Sequence, residues 1–447
     1  MSWITNIGPL REFLQASRQR RTDFLICSDS NTVFGGYGQD HGITKALGQK
    51  FPLYKTGLLS ANENYGAGAS IGYLFQHANN GSRTQTRPIT IVPGYNDYIP
   101  DGQQGFGTAH AYWHMVNPQT DTNNTGMTVY TGGPWDVNAA LRYSFTYGTF
   151  LTASGPGAFR PQIRRGDPPY TQLAIAGATI DPSAPNAIGL VDYDLDLAAA
   201  TRNYQLDGRF SPSPTAVAGP IFFTWQWFSW PGITTGTSFN VIGYYGGQGL
   251  RNMLNYQSVT PGVGWTEYFR QIARAQGTAS PKVCIMISSG LNDRTDANPS
   301  VGPSPQPTSS SDAGYADNLR GLIEFYQSEW AGTGYSGADL YFLLMCSHPV
   351  SSPDDSQLIG YREQCALMTT EYSNVTAIDM SRYNAQLQAN RTTWYNTGGS
   401  DTFHMTQTGY EEFYELIING IMDEADGGGA GFRSRGGSRN RLLFGVR

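Results

Sequence analysis

The stretch Asp23-Phe24-Leu25-Ile26-Cys27-Ser28-Asp29-Ser30-Asn31 decides the fold. Its apolar run is too short for a helix and breaks into small polar residues, which is how a fully buried strand ends. A helix-like segment from His41 to Phe51 comes next, and Pro9 through Arg21, upstream, reads as a short amphipathic helix. The same texture returns between about 236 and 424. Strand candidates at Phe239–Tyr244, Val283–Ile287, Leu340–Met345 and Val375–Ile378 alternate there with helical segments at 249–257, 265–275, 315–330, 358–372 and 408–424. Strands alternating with helices predict right-handed βαβ units and a parallel sheet covered on both faces.

Residues 63–235 read differently. They are rich in Gly, Thr, Asn, Pro and Tyr, carry turn signals every 8–12 residues and show no long helical period, as in a β-sandwich. Because the α/β texture resumes afterwards, the expected organisation is discontinuous. Residues 1–62 and 236–425 form the α/β domain, 63–235 an inserted all-β, sandwich- or jelly-roll-like domain, and 426–447 a flexible Gly/Arg tail. A chain of 447 residues is long enough for two or three cores.

Composition narrows the function classes. Charged residues make up 14%, aromatics 13%, with 54 Gly and 25 Pro, which excludes a coiled coil, collagen and a disordered chain. A net charge of −6 repels a phosphate backbone, so no nucleic-acid partner is expected. No run approaches the ~18 apolar residues of a membrane span, so no membrane partner is expected either. Residues 1–23 lack the apolar core of a signal peptide, so the expected location is the cytoplasm or a phage virion. Four cysteines in so long a chain make no disulfide framework, and Cys27, Cys284 and Cys346 sit in apolar runs, as free buried thiols do.

Three strand ends or loops carry chemistry. Ser30 follows the first strand directly, at the carboxyl edge where open α/β sheets bind ligands, and stands like a nucleophile between Asp29 and Asn31. Ser, Asp and Asn at such a place also serve as plain turn chemistry. The strand at 283 ends in Ser288-Ser289-Gly290-Leu291-Asn292-Asp293, delivering a side-chain amide to the same edge. That amide can donate to an oxyanion, though a Gly/Asn/Asp turn is the simpler reading. Asp401-Thr402-Phe403-His404 precedes the last helix. A carboxylate three residues before an imidazole can orient one ring nitrogen while the other takes a proton, or the pair is an unrelated surface loop.

Together these fragments resemble the sequence blocks of the SGNH (GDSL-like) hydrolase family. The blocks read Gly-Asp-Ser, Gly-x-Asn-Asp and Asp-x-x-His, and occur here in the family's order at 28–30, 290–293 and 401–404, with Ser28 where glycine is usual. The last is followed by Met405-Thr406-x-x-Gly409-Tyr410, as in the family. The resemblance covers roughly 22–62 and 236–424. It implies a three-layer α/β/α fold and ester hydrolysis without metal or organic cofactor. Catalysis would rest on Ser30, His404 and Asp401, with an oxyanion hole from the Ser30 N–H, the Asn292 amide and a glycine of the second block. In Tyr244-Tyr245-Gly246-Gly247-Gln248-Gly249 that glycine is expected at Gly247, with Gly243 and Gly246 as alternatives. Asp29, Asn31 and Asp293 are candidate substrate-binding residues. Ser347-His348-Pro349 looks like a strand's exit loop, with no role for His348.

In the inserted block, Phe222 through Trp230 is a strand that puts Phe223, Trp225 and Trp227 on one face. That face is core, or Trp225 and Trp227 form a platform for sugar rings. Asp192, Asp194 and Asp196 alternate as on a solvated strand face and lack the glycine of a calcium loop. His110 and His114 have helical spacing but no further ligands. The leading expectation is an O-acetylesterase acting on an acylated carbohydrate. The alternatives are a lipase- or thioesterase-like relative, or a non-catalytic carbohydrate-binding or virion-associated protein. The tail, with Leu442-Leu443-Phe444 near its end, is a candidate for particle docking or homo-oligomer contact.

Overall fold

The computed structural model describes residues 2–29, 249–251, 253–254, 265–294, 310–347, 356–395 and 405–426, and the backbone of the strands between 71 and 244. The strands in chain order are β1 (Ile4–Thr5), β2 (Arg21–Asp29), β3 (Ile71–Leu74), β4 (Ile89–Ile91), β5 (Tyr95–Asn96), β6 (His114–Val116), β7 (Thr125–Val129), β8 (Leu141–Thr149) and β9 (Phe159–Arg165). They continue as β10 (Ile175–Ala176), β11 (Ile188–Leu195), β12 (Leu206–Pro212), β13 (Ile221–Ser229), β14 (Gly236–Tyr244), β15 (Val283–Ser289), β16 (Leu340–Cys346) and β17 (Val375–Ile378). The helices are α1 (Gly8–Gln19), α2 (Trp265–Gln276), α3 (Asp312–Ala331), α4 (Ser356–Glu371), α5 (Asn384–Ala389), α6 (Arg391–Trp394) and α7 (Gln407–Ala425). Among the described residues no helix is long and apolar enough to cross a membrane.

The chain is an α/β protein with a mixed sheet. The parallel part runs β3-β14-β2-β15-β16-β17; counted along the last five of these the order is 2-1-3-4-5, and β1 closes the edge antiparallel to β17. Such an order switches direction between its first and third strands, here β2 and β15, and the crevice outside their carboxyl ends is where open α/β sheets take ligands. Every residue of β15 and β16 is buried, as continuous apolar runs between two helical layers require.

One face of this sheet carries Phe24, Ile26, Cys284, Met286, Tyr341, Leu343 and Met345 against α1 and α7. Helix α7 presents Tyr410, Phe413, Tyr414, Ile417, Ile418 and Ile421, a single 3.6-period stripe. Helix α1 buries Leu10, Phe13 and Leu14, each contributing about 1.5–3 kcal/mol. It stops at Gln19, short of the expected Arg21: Arg20 is extended (φ −152°) while its N–H still reaches the Ala16 carbonyl, and Arg21 opens β2. The other face takes α3 and α4. Tyr326 of α3 donates to Cys27 Sγ at 3.2 Å, and Cys346 approaches the Leu358 carbonyl of α4 at 3.9 Å.

Every described residue between 71 and 229 is strand, and the strands form two sets. β10-β9-β12-β7-β4 is a separate antiparallel sheet, whereas β3, β13, β8, β11, β6 and β5 continue the first sheet, β3 lying parallel to β14. The sheet therefore runs without a break from the α/β part into the β-rich block. A register shift between Phe223 and Trp225 against β8 interrupts the period of two expected along β13. Asp192 and Asp194 lie in β11, and His114 opens β6, while His110 lies outside the described residues. All four cysteines are free and buried.

Candidate active site

The carboxyl ends of β14, β2 and β15 lie level. Gly243 pairs with Ser28 and Tyr244 with Asp29 on one side, and Ser288 pairs with Ser28 on the other. Ser28, which replaces the expected glycine, is fully buried, and its Oγ donates to the Ser288 carbonyl at 2.8 Å. A strand glycine makes no such bond, so the serine fastens β2 to β15 one residue before the edge.

The turn leaving β15 is held from several directions. Gly290 has φ +152°, and a Cβ there would stand 2.8 Å from Cys346 Sγ and 3.3 Å from the Ser347 nitrogen, so backbone conformation and space both demand glycine. The Ser289 carbonyl accepts from the Ser347 N–H at 3.0 Å and from the Tyr315 hydroxyl at 3.0 Å. Ser347 Oγ in turn accepts the Leu291 N–H at 3.2 Å. Tyr315 stacks on Tyr361 with centroids 4.1 Å apart, and burial raises its pKa well above the ordinary value, which keeps the hydroxyl a donor. Asn292, half-buried, stands on this braced turn.

Asp293, a candidate for substrate binding in the sequence, is 1% exposed. One carboxylate oxygen accepts the Leu250 N–H at 2.8 Å and the other accepts from Ser289 Oγ at 2.7 Å. Leu250 begins a helical turn in which the Met253 N–H reaches the Gly249 carbonyl, so Asp293 caps from across the sheet edge the turn that comes after the second-block glycines. Gly249 leaves the room, since a Cβ there would fall 2.5 Å from Asp293 Oδ1. The carboxylate thus sits behind the edge as a brace between two loops.

The last block is anchored from its far side. Met405 bridges Tyr395, the Thr406 N–H donates to the Trp394 carbonyl at 2.7 Å, and Thr406 Oγ1 caps α7 by accepting the Gly409 N–H at 3.0 Å. His404, one residue earlier, lies outside the described residues. So do Ser30, Asn31, Gly246, Gly247 and Asp401, and the side chains of Asp29, Trp225 and Trp227. Gly243 is inside β14. The described residues thus bring together the end of β2, the Asn292 turn and the start of the 250 helix. Ser347 and Tyr315, which hold that turn, carry no mark in the sequence, although Ser347 does end an apolar strand run.

No family model matches the sequence, and no curated protein does. Among solved structures, a peptidoglycan O-acetylesterase is similar at a TM-score of 0.53 and 11% identity, covering 95% of this chain and 99% of that one. Family two carbohydrate esterases from Cellvibrio japonicus and, in complex with cellohexaose, from Clostridium thermocellum also match. They are 9% and 12% identical and cover 75% and 70% of this chain, and 95% and 99% of their own, but their TM-scores of 0.27 carry no argument about the fold. What the peptidoglycan O-acetylesterase and this chain share, over nearly the full length of both, is the fold.

Proposed function

We propose that the chain is a serine esterase that removes O-acyl groups, O-acetyl above all, from a carbohydrate polymer. The observation that carries the reading is the braced Gly290–Asn292 turn, level with the end of β2 at the sheet's switch point, one residue upstream of Ser30. Ser30 Oγ attacks the ester carbonyl while His404 takes its proton, and as the bond to the sugar oxygen breaks His404 gives that proton to the departing oxygen, which leaves as a hydroxyl. Asp401 holds the imidazole tautomer, and the acyl-enzyme is hydrolysed by water activated by the same histidine. The Ser30 and Gly247 N–H groups and the Asn292 amide hold the oxyanion. Pre-set donors contribute most when they need not reorganise, which is what bracing by Ser347, Tyr315 and Asp293 supplies.

Residues 63–235 form, in this proposal, an inserted β-rich unit that shapes or holds the polymer, with Trp225 and Trp227 as contact residues. The likeness to a peptidoglycan O-acetylesterase supports a carbohydrate ester as the first substrate to try. The test is hydrolysis of para-nitrophenyl acetate and acetate release from O-acetylated peptidoglycan and xylan by the protein, Ser30→Ala and Asn292→Ala. The serine variant should be inactive and the asparagine variant slower by roughly 10²–10³. Equal rates in all three remove the esterase reading.

A further inference from the structure

A cavity of about 350 Å³ lies on the flank of the same sheet edge, between α4, β17 and β1, with Ile359, Arg362, Asp379, Ser381 and Asn384 in its lining. Arg362 is 7% exposed, yet among the described residues its Nε and Nη2 have no hydrogen-bond partner. The nearest carboxylate oxygen, Asp379 Oδ1, stands 3.7 Å from Nε, beyond hydrogen-bond reach, and already accepts the Ser381 N–H. Asn384 Oδ1 is likewise buried, with no donor among the described residues. A buried guanidinium without a hydrogen bond, its charge met among the described residues only by Asp379 at 3.7 Å, and a buried amide oxygen without a donor are both costly, and each calls for an explanation, a bound molecule among them.

The set of groups says what that something is. An anion on Arg362 would also face Asp379 and Glu363, and a metal ion would face Arg362. A hydroxyl does neither harm: it accepts from the guanidinium and donates to an amide or carboxylate oxygen, so adjacent hydroxyls on one ring satisfy both kinds of group. Ile359, 53% exposed, adds apolar surface for the C–H face of such a ring.

The position suits a long substrate. Ile378 pairs with Met345 and Met345 with Ser288, so Asp379 stands level with Ser289, two strand spacings or roughly 10 Å across the sheet from the strand that carries Asn292. We propose that this cavity is a sugar subsite, holding a neutral ring of the polymer away from the ester. The inference rests on the carbohydrate reading above.

The test is calorimetric titration of the full chain with chitohexaose, cellohexaose and xylohexaose, using the unaltered protein, Arg362→Met, Ile359→Asp and Leu367→Asp, each checked for folding by circular dichroism. At least one oligosaccharide should bind, about tenfold or more weaker to Arg362→Met, several-fold weaker to Ile359→Asp, and unchanged with Leu367→Asp, whose exposed side chain is outside the lining. The inference is overturned if none binds at millimolar concentration, if all four proteins bind alike, or if anionic hexagalacturonate binds tighter than every neutral probe. Para-nitrophenyl acetate hydrolysis by the same preparation separates the two readings. Arg362-dependent binding without hydrolysis keeps the subsite and removes the esterase, and hydrolysis without such binding does the reverse.

Discussion

Replacing Asp293 by alanine should destabilise the protein by about 3–6 kcal/mol, because two hydrogen bonds to a carboxylate, each contributing about 1.5–3, are lost inside the protein. The Leu250 N–H and the Ser289 hydroxyl would be left without that partner. Asparagine can still accept from Leu250 and donate to Ser289 Oγ, so Asp293→Asn should cost under about 2 kcal/mol. Gly249→Ala tests the same contact from the other side. Its new methyl would meet Asp293 Oδ1 at 2.5 Å and Cγ at 2.8 Å, and the two bonds prevent the carboxylate from swinging away, so overpacking of about 1–3 kcal/mol is expected. With alanine at 293 the obstruction is gone, and the added cost of Gly249→Ala should fall below about 1 kcal/mol. Urea unfolding of the four proteins closes the cycle, with an expected coupling of about 1 kcal/mol or more. Costs that simply add, within about 0.5 kcal/mol, would refute the placement of Asp293 over Gly249 and with it the bracing between the two loops.

Three further outcomes rest on particular contacts. Ser28→Gly, which restores the glycine of the resembled family, should lower stability by about 1–2 kcal/mol, since it removes the bond to the Ser288 carbonyl and adds a flexible residue to a central strand; equal urea midpoints would contradict this. Glu12 sits below the ordinary carboxylate value, first through the Tyr341 hydroxyl bond and then through Lys282. Its folded pKa is depressed, so its contribution is present above the unfolded value of 4.5 and lost as pH falls through the folded one. Tyr341→Phe should therefore flatten the acid limb of a stability–pH curve, by a modest amount because the Glu12 side chain is 60% exposed, and parallel limbs would refute it. Burial raises the Cys284 thiol and pushes Cys365 up to about 12, so a thiol reagent at pH 8 should label none of the four cysteines natively and all four in urea; rapid native labelling would place a cysteine at the surface.

The parallel strands were legible because each is a continuous apolar run, and the observed ends differ from those read by at most three residues: Val375–Ile378 is unchanged, and Val283–Ile287 gains only Ser288 and Ser289. β1, two residues long, and the short α5 and α6 have no period to read. Nor does any local signal say that β3 pairs with β14 and joins the β-rich block to the first sheet, since strand partners are chosen by contacts remote in sequence. At the candidate site, Gly290 and Asn292 were visible as a motif. What Asp293 does was not, because a carboxylate next to a motif asparagine reads as a surface ligand until Leu250, 43 residues earlier, is found to donate to it.

The placement of Asp293 bears on how the edge is built. Four residues of one short turn, Ser289, Gly290, Asn292 and Asp293, look alike in sequence as small polar or turn-forming groups, yet three of them face inward. Ser289 offers its carbonyl to Ser347 and Tyr315 and its hydroxyl to Asp293, Gly290 yields space to Cys346, and Asp293 reaches back to Leu250. Only Asn292 remains half-exposed at the edge. Three of the four are thus committed to fixing the backbone on which Asn292 stands, and the oxyanion role proposed for Asn292 asks for such a donor, in position before charge develops. On this argument Ser347→Ala and Tyr315→Phe, which touch no substrate, should slow ester hydrolysis through kcat with KM little changed, and a change in KM alone would show that the turn binds substrate instead of the transition state.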